Sequence, residues 1–224
     1  IYKYNFYKKK MKKTNKDIEI LLKDESIIVT DNFGYIYSLD YKNNKVNWAK
    51  NYLIPFRSNS KIIDNTLFVS DEKNKIILIN IKDGKKIDEF YTQPSKTVSS
   101  FKSNLAFDEK NNLLFLSTSG TLYSLNLINS KEINWIQNFK PETEIIFRAN
   151  PIVVSKNNII ISTDKKISLL TSNGEKKWDL NVKSRLLPAS SGNMILTVNN
   201  DNYLILISKE TGEILFSKSI YSMI

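Results

Sequence analysis

SIIVTDNFGYIYSLD, residues 26–40, reads as an apolar strand, a turn over Asp31, Asn32, Phe33 and Gly34, and a second apolar strand. The pattern returns four times, as NTLFVSDEKNKIILIN (65–80), NLLFLSTSGTLYSLN (112–126), NIIISTDKKISLLT (158–171) and NMILTVNNDNYLILIS (193–208). The first strands of these units, marked by Val29, Val69, Leu116, Ile161 and Leu196, lie 40, 47, 45 and 35 residues apart. A β-prone repeat with a period in that range is the signature of propeller blades.

Each unit carries a second turn, at Asn43-Asn44, Asp83-Gly84, Asn129-Ser130, Asn173-Gly174 and Thr211-Gly212, built from residues that tolerate left-handed dihedrals. Two hairpins per unit give four antiparallel strands. Beyond the second turn the chain runs outward to Trp48, Phe90, Trp135, Trp178 and Phe216, so all three tryptophans fall at one repeated position. An aromatic there buries a wide flat surface against the neighbouring blade and can place its N–H on a partner. These five are read as blade-docking residues and not as ligands, because a cofactor box does not recur at every repeat. The expected organisation is a basic segment over 1–17 and an all-β propeller over 18–224, with blades near 18–50, 60–90, 100–136, 151–179 and 188–219.

The repeat runs through 224 residues without a Pro/Ser/Gly-rich break, with 6 Gly and 5 Pro in all, which fits one closed repeat domain better than two small ones. Cysteine is absent, removing disulfides, reactive thiols and thiolate metal sites. Histidine is absent too, which removes Ser/His/Asp and Cys/His catalysis and the commonest zinc ligand. Asp31, Asp40, Asp71 and Asp83 fall in turns, where a carboxylate bonds local N–H groups. DNFG at Asp31 and SKETGE at Ser208 have only part of a calcium or phosphate loop, so no catalytic, metal or cofactor residue is assigned. No apolar run has transmembrane length and no signal sequence is recognisable. The opening on Ile1 is read as a processed or incomplete chain.

The net charge of +10 raises anionic partners, but seven lysines against Asp17 place +6 of it within residues 1–17. That segregation argues for a solvated basic arm or a docking segment, and against a continuous nucleic-acid track. Only three of the 33 basic residues are arginine: Arg57 in YLIPFRSNSKII, Arg148 in EIIFRANPIVV and Arg185 in VKSRLLPAS. Each follows a tryptophan and precedes the next unit, where interblade connections cross one face. Phe56-Arg57-Ser58-Asn59 and Phe147-Arg148-Ala149-Asn150 look like copies. The arginines either tie neighbouring loops together or present planar donors to a partner, with Phe56, Phe147 and Leu186 as apolar neighbours.

The pattern DNFGYIYSLD…KVNW, TSGTLYSLN…EINW and SNGEKKW resembles the repeat of pyrroloquinoline-quinone-type propellers from Ser26 to Phe216. That superfamily holds both quinoprotein dehydrogenases and non-enzymatic scaffolds. The unit order and the segments PFRSN and FRANP are most similar to the BamB family, propeller lipoproteins of the outer-membrane β-barrel assembly machinery. The resemblance implies that the five repeats are part of a seven- or eight-bladed ring. It further implies a non-catalytic periplasmic scaffold at the outer membrane, peripheral to the membrane at most, without cofactor. An interblade-loop arginine of the type of Arg57, Arg148 or Arg185 would contact the machinery's central subunit. The alternatives are a degenerate quinone-dependent oxidoreductase and a basic nucleic-acid-binding propeller, of which the second predicts steep salt dependence.

Overall fold

The computed structural model describes residues 7, 13–93, 101–127, 131–140, 147–184 and 186–222. It divides into two compact units, 1–98 and 99–224. Apart from a short 3-10 turn at Ile220–Ser222, every assigned element is a strand, and no helix among the described residues is long and apolar enough to cross a membrane.

The first unit holds two four-stranded antiparallel sheets. One is β1 (Ile18–Lys23), β2 (Ser26–Asp31), β3 (Tyr35–Asp40) and β4 (Lys45–Asn51), and the other is β5 (Lys61–Ile63), β6 (Thr66–Ser70), β7 (Lys75–Asn80) and β8 (Lys86–Tyr91). The second unit holds three. They are β9 (Asn104–Phe107), β10 (Leu113–Leu116), β11 (Thr121–Asn126) and β12 (Glu132–Asn138); β13 (Val153–Ser155), β14 (Asn158–Ser162), β15 (Ile167–Thr171) and β16 (Lys176–Leu180); and β17 (Ala189–Ser191), β18 (Met194–Val198), β19 (Tyr203–Ser208) and β20 (Ile214–Ser219). Within each sheet the strands lie side by side in chain order, which is the meander of a propeller blade.

In the second, third and fourth sheets the middle strands are buried along nearly their whole length, whereas in the fifth Met194 and Leu196 of β18 are 45% and 39% exposed on one face. In the first unit Ile28, Ile36, Leu67, Val69, Ile77 and Ile79 form one core between the two sheets. In the second, Leu114, Leu116 and Leu122 meet Ile159, Ile161 and Leu170, while Ile160, Ile167 and Leu169 meet Ile195, Ile205 and Ile207. Between the second and third strands an Asx- or Ser/Thr-turn closes each hairpin. Asp31 Oδ1 accepts from the N–H groups of Phe33 and Tyr35, and Asp71 Oδ1 from those of Lys73 and Lys75, all at 2.9 Å. Asn199 Oδ1 does the same for Asp201 and Tyr203.

Every fourth strand then carries a β-bulge just after the second turn. The register skips one residue at Asn47, Ile87, Asn134, Lys177 and Leu215. The residue after the bulge is Trp48, Trp135 or Trp178 in three blades, paired with Ser38, Ser124 and Leu169. Each indole lies over the second-turn glycine of the next blade and donates its Nε1–H to a carbonyl there. Trp48 reaches Gly84 and Ile81 O (2.8 Å), Trp135 reaches Gly174 and Ser172 O (3.1 Å), and Trp178 reaches Gly212 and Lys209 O (3.0 Å). A Cβ on Gly174 would come within 2.5 Å of the Trp135 ring, and its φ of +85° also favours glycine.

Two of the five aromatic assignments come out differently. Phe216 holds the register position opposite Leu206, but its ring is 44% exposed. Phe90 does not hold it: the residue after the bulge in β8 is Asp88, opposite Leu78, and Phe90 pairs with Ile76 one step further along the same face. Strand periodicity of two makes Asp88 and Phe90 equivalent in facing, so an aromatic count lands on the wrong one.

Of the basic segment 1–17, only Tyr7 and residues 13–17 are described. Tyr7 donates its hydroxyl to Asp31 Oδ2, packs edge-on against Tyr35 and Tyr37 with ring centroids 6.0 and 6.2 Å away, and lies under Lys16 Nζ at 4.6 Å. Desolvation, first, and the bond to Asp31 push its phenol far above the ordinary range.

Candidate functional site: the interblade loops

Within each unit the chain leaves a fourth strand, makes one isolated bridge to the end of the next blade's second strand, and enters that blade's first strand. The bridges are Phe56 with Asp71, Ala149 with Thr163 and Ser184 with Asn199. They fix which loop residues are equivalent. Arg57 N donates to Ser70 O at 2.8 Å, and Asn150 N to Ser162 O at 2.9 Å. Arg148 O instead accepts from Asp164 N, as Lys183 O accepts from Asn200 N.

The FR dipeptides are therefore out of step by two residues. Arg57 matches Asn150, whereas Arg148 matches Pro55 and Lys183. The copied-looking tetrapeptides are a coincidence of sequence, and a slip of two is invisible to an alternating pattern. Arg185 lies outside the described residues.

Burial separates the remaining candidates. Phe56 is 5% exposed and sits in the first unit's core beside Tyr52, and Phe147 is 7% exposed and packs on Gly120 in the second unit's core. Neither ring is open to a partner, a correction to their reading as contact residues. Each loop must cover the end of a sheet, and the aromatic next to the arginine does so.

Arg57 is half-buried, while Arg148 is exposed and places its guanidinium carbon 5.2 Å from the Phe101 ring centroid. Leu186 and Leu187 are 53% and 52% exposed. Their position is not slack. Ser184 Oγ donates to Leu186 O at 2.7 Å and lies 2.6 Å from Thr197 Oγ1, while Asn150 Nδ2 spans to Ser162 Oγ at 3.1 Å. The result is a cleft of about 180 Å³ walled by Arg148, Asn150, Thr163, Asp164, Ser184 and Asn200. A guanidinium, two amides, two hydroxyls and the Asp164 carboxylate line it, a mixed set of donors and acceptors suited to backbone amides and carbonyls.

The first unit has a different loop surface that sequence reasoning passed over. Leu53 is 86% exposed and takes φ +60°, a conformation rare for a bulky side chain, with its N–H held by Asn51 Oδ1 at 2.7 Å. With Ile54, Pro55 and Tyr91 it walls a cleft of about 520 Å³ whose polar side is Asp71, Glu72, Lys73 and Lys75. The available signal was Asn51 two residues before Leu53, an Asx-turn spacing at a strand end. Beside it Glu89 gathers the Tyr91 hydroxyl, Lys75 and Lys86, which together bring its carboxyl down to about 2. Asp179 gathers Lys166, Ser168 and Lys176 in the same way on β16. Among the described residues no three acidic side chains gather where they could share a metal ion.

The family profile described as "Outer membrane protein assembly factor BamB" matches residues 9–218. Among solved structures, BamB from Moraxella catarrhalis superposes with a TM-score of 0.74 at 13% identity, over 91% of this chain and 64% of that one. The computationally designed Ika8 protein superposes with a TM-score of 0.70 at 13% identity, over 90% of this chain and 61% of that one. The chain thus spans less than two thirds of either structure, and at these identities the likeness is one of fold. No curated protein sequence matches.

Proposed function

The chain belongs to the family of outer membrane protein assembly factor BamB, and from that membership we propose that it is a non-catalytic periplasmic scaffold that assists insertion of outer-membrane β-barrel proteins. Its partner in this reading is the central subunit of the barrel assembly machinery, met at the periplasmic face of the outer membrane. The observation that carries the reading is exposed Arg148 on a loop that Asn150 Nδ2 ties to Leu186 O (3.4 Å), in the neighbouring loop that presents exposed Leu186 and Leu187 and is held by Ser184. An arginine beside apolar side chains on a rigid rim is the composition of an interface centre. Little ordering entropy is left to lose on binding.

The test is capture from an envelope extract by the purified protein, comparing wild type with Arg148→Ala/Leu186→Ala. Neither side chain is part of a core, so the variant keeps its melting curve while retention of the central barrel subunit falls about tenfold or more. Equal capture by both proteins moves the interface elsewhere. Capture by neither removes the scaffold reading.

A further inference from the structure

A third cleft, about 520 Å³, opens beside the β11–β12 hairpin and is mostly polar. Its walls are the amides of Asn112, Asn126, Asn134 and Asn173, the hydroxyls of Ser124 and Ser172, Lys110 at the rim, and the indole of Trp135. All belong to the second unit, and none is an interblade-loop residue of the proposed partner surface.

Three features make this a built site. Asn134 is the extra residue of the β12 bulge, and a bulge turns its side chain out of the strand's alternation. The amide so turned donates from Nδ2 to Ser124 Oγ at 3.2 Å, a hydroxyl with no exposed surface at the floor. Asn112, on the opposite wall, is fixed by its Nδ2 bond to Asp108 Oδ2 at 2.8 Å. Trp135 itself is immobilised by Gly174 behind one ring face and by its Nε1–H bond to Ser172 O. Blade 1 repeats the bulge asparagine, the serine and the tryptophan, with Asn47 Nδ2 3.3 Å from Ser38 Oγ beside Trp48. It has Asp40 and Asp83 at the positions of Asn126 and Asn173, so the uncharged set of amides is what is particular here. In blade 4 Lys177 replaces the asparagine and Leu169 replaces Ser124 opposite the tryptophan.

We propose that this cleft is a binding site for a neutral pyranose glycan. Carboxamides offer a donor and an acceptor at a spacing that matches neighbouring ring hydroxyls, and the apolar C–H face of a sugar needs an aromatic surface. Four amides, the Ser172 hydroxyl and one indole supply both. The volume admits one or two sugar rings. The lining contains no carboxylate, and its single cation stands at the rim.

The experiment is a titration of the full chain, 15N-labelled, with chitotriose and separately with maltotriose, following the Trp135 indole N–H and the asparagine side-chain signals. Saturable shifts at Trp135, Asn134 and Asn173 with one of the two sugars are expected, with affinity about fivefold weaker in Asn134→Ala and in Asn173→Ala. Asn173 is exposed, so the Asn173→Ala melting curve stays at the wild-type position, while Asn134→Ala, which leaves the buried Ser124 hydroxyl without this bond, melts slightly lower but remains folded at the temperature of the titration. No shift with either sugar overturns the assignment. So does binding that both variants leave unchanged.

Discussion

Strands β8 and β16 have the same backbone and opposite side-chain content at the point that matters most. Both follow a glycine-containing turn, and both insert one extra residue, Ile87 or Lys177. After the bulge, β16 places Trp178 across the next blade's Gly212 with a hydrogen bond to Lys209 O. At the same step β8 places Asp88, whose carboxylate accepts from the N–H of Glu89 at 2.8 Å. The bulge thus forms without the tryptophan. Turn and ladder set the backbone, and the aromatic is an addition that fastens one blade to the next.

The widest separation between the two strands should come from truncation. Trp178→Ala removes a half-buried indole from its seat and is expected to lower stability by about 3 kcal/mol, whereas Asp88→Ala, which loses a half-buried carboxylate and its hydrogen bond, is expected to cost about 1 kcal/mol. Urea unfolding followed by far-UV circular dichroism measures both, and similar losses would mean that Asp88 fastens something too. A glycine substitution sharpens the point from the other side. Gly212→Ala meets the Trp178 ring with its Cβ at 2.8 Å and holds φ at +77°, so a loss of about 2 kcal/mol is expected. In a Trp178→Ala background the steric part disappears and about 1 kcal/mol remains, a coupling that a double-mutant cycle reads directly.

A smaller effect, on β16, depends on pH. Burial alone would raise the Asp179 carboxyl, but bonds from Lys166, Ser168 and Lys176 outweigh it and bring the pKa from 3.8 to about 2. The folded chain therefore holds this group as an anion where the unfolded chain protonates it. The stability it contributes is present above pH about 4 and is lost as the pH falls towards 2. With nearly a third of the side chain in solvent, about 1 kcal/mol is expected. Asp179→Asn should remove that part of the acid slope, and an unchanged slope between pH 4 and 2 would show that the network is not coupled to folding.

The repeat, the four-strand blade and the shared place of the three tryptophans were legible because each rests on residues with few substitutes. Glycine or asparagine is needed at turns such as Gly84, Gly174, Gly212 and Asn44, and all four take positive φ. What escaped was register within a strand. Phe90 stands two residues past the docking position and the two FR dipeptides are two residues out of step with each other, and a displacement of two preserves facing in a strand. Burial of Phe56 and Phe147 was equally silent, because an aromatic beside an arginine reads the same whether it covers a sheet end or greets a partner. Leu53 and the asparagine-lined cleft lie on loops and bulges, where no periodicity draws the eye.

The chain-order meander of every sheet bears on how quickly the molecule assembles. Each strand finds its hydrogen-bonding neighbour across a short turn, so closing each loop sacrifices little chain entropy. An all-β protein assembled from such local pairings escapes most of the kinetic delay that distant strand partners impose. One blade can complete its ladder while the next is still being synthesised, and each finished sheet then offers a template on which its successor condenses.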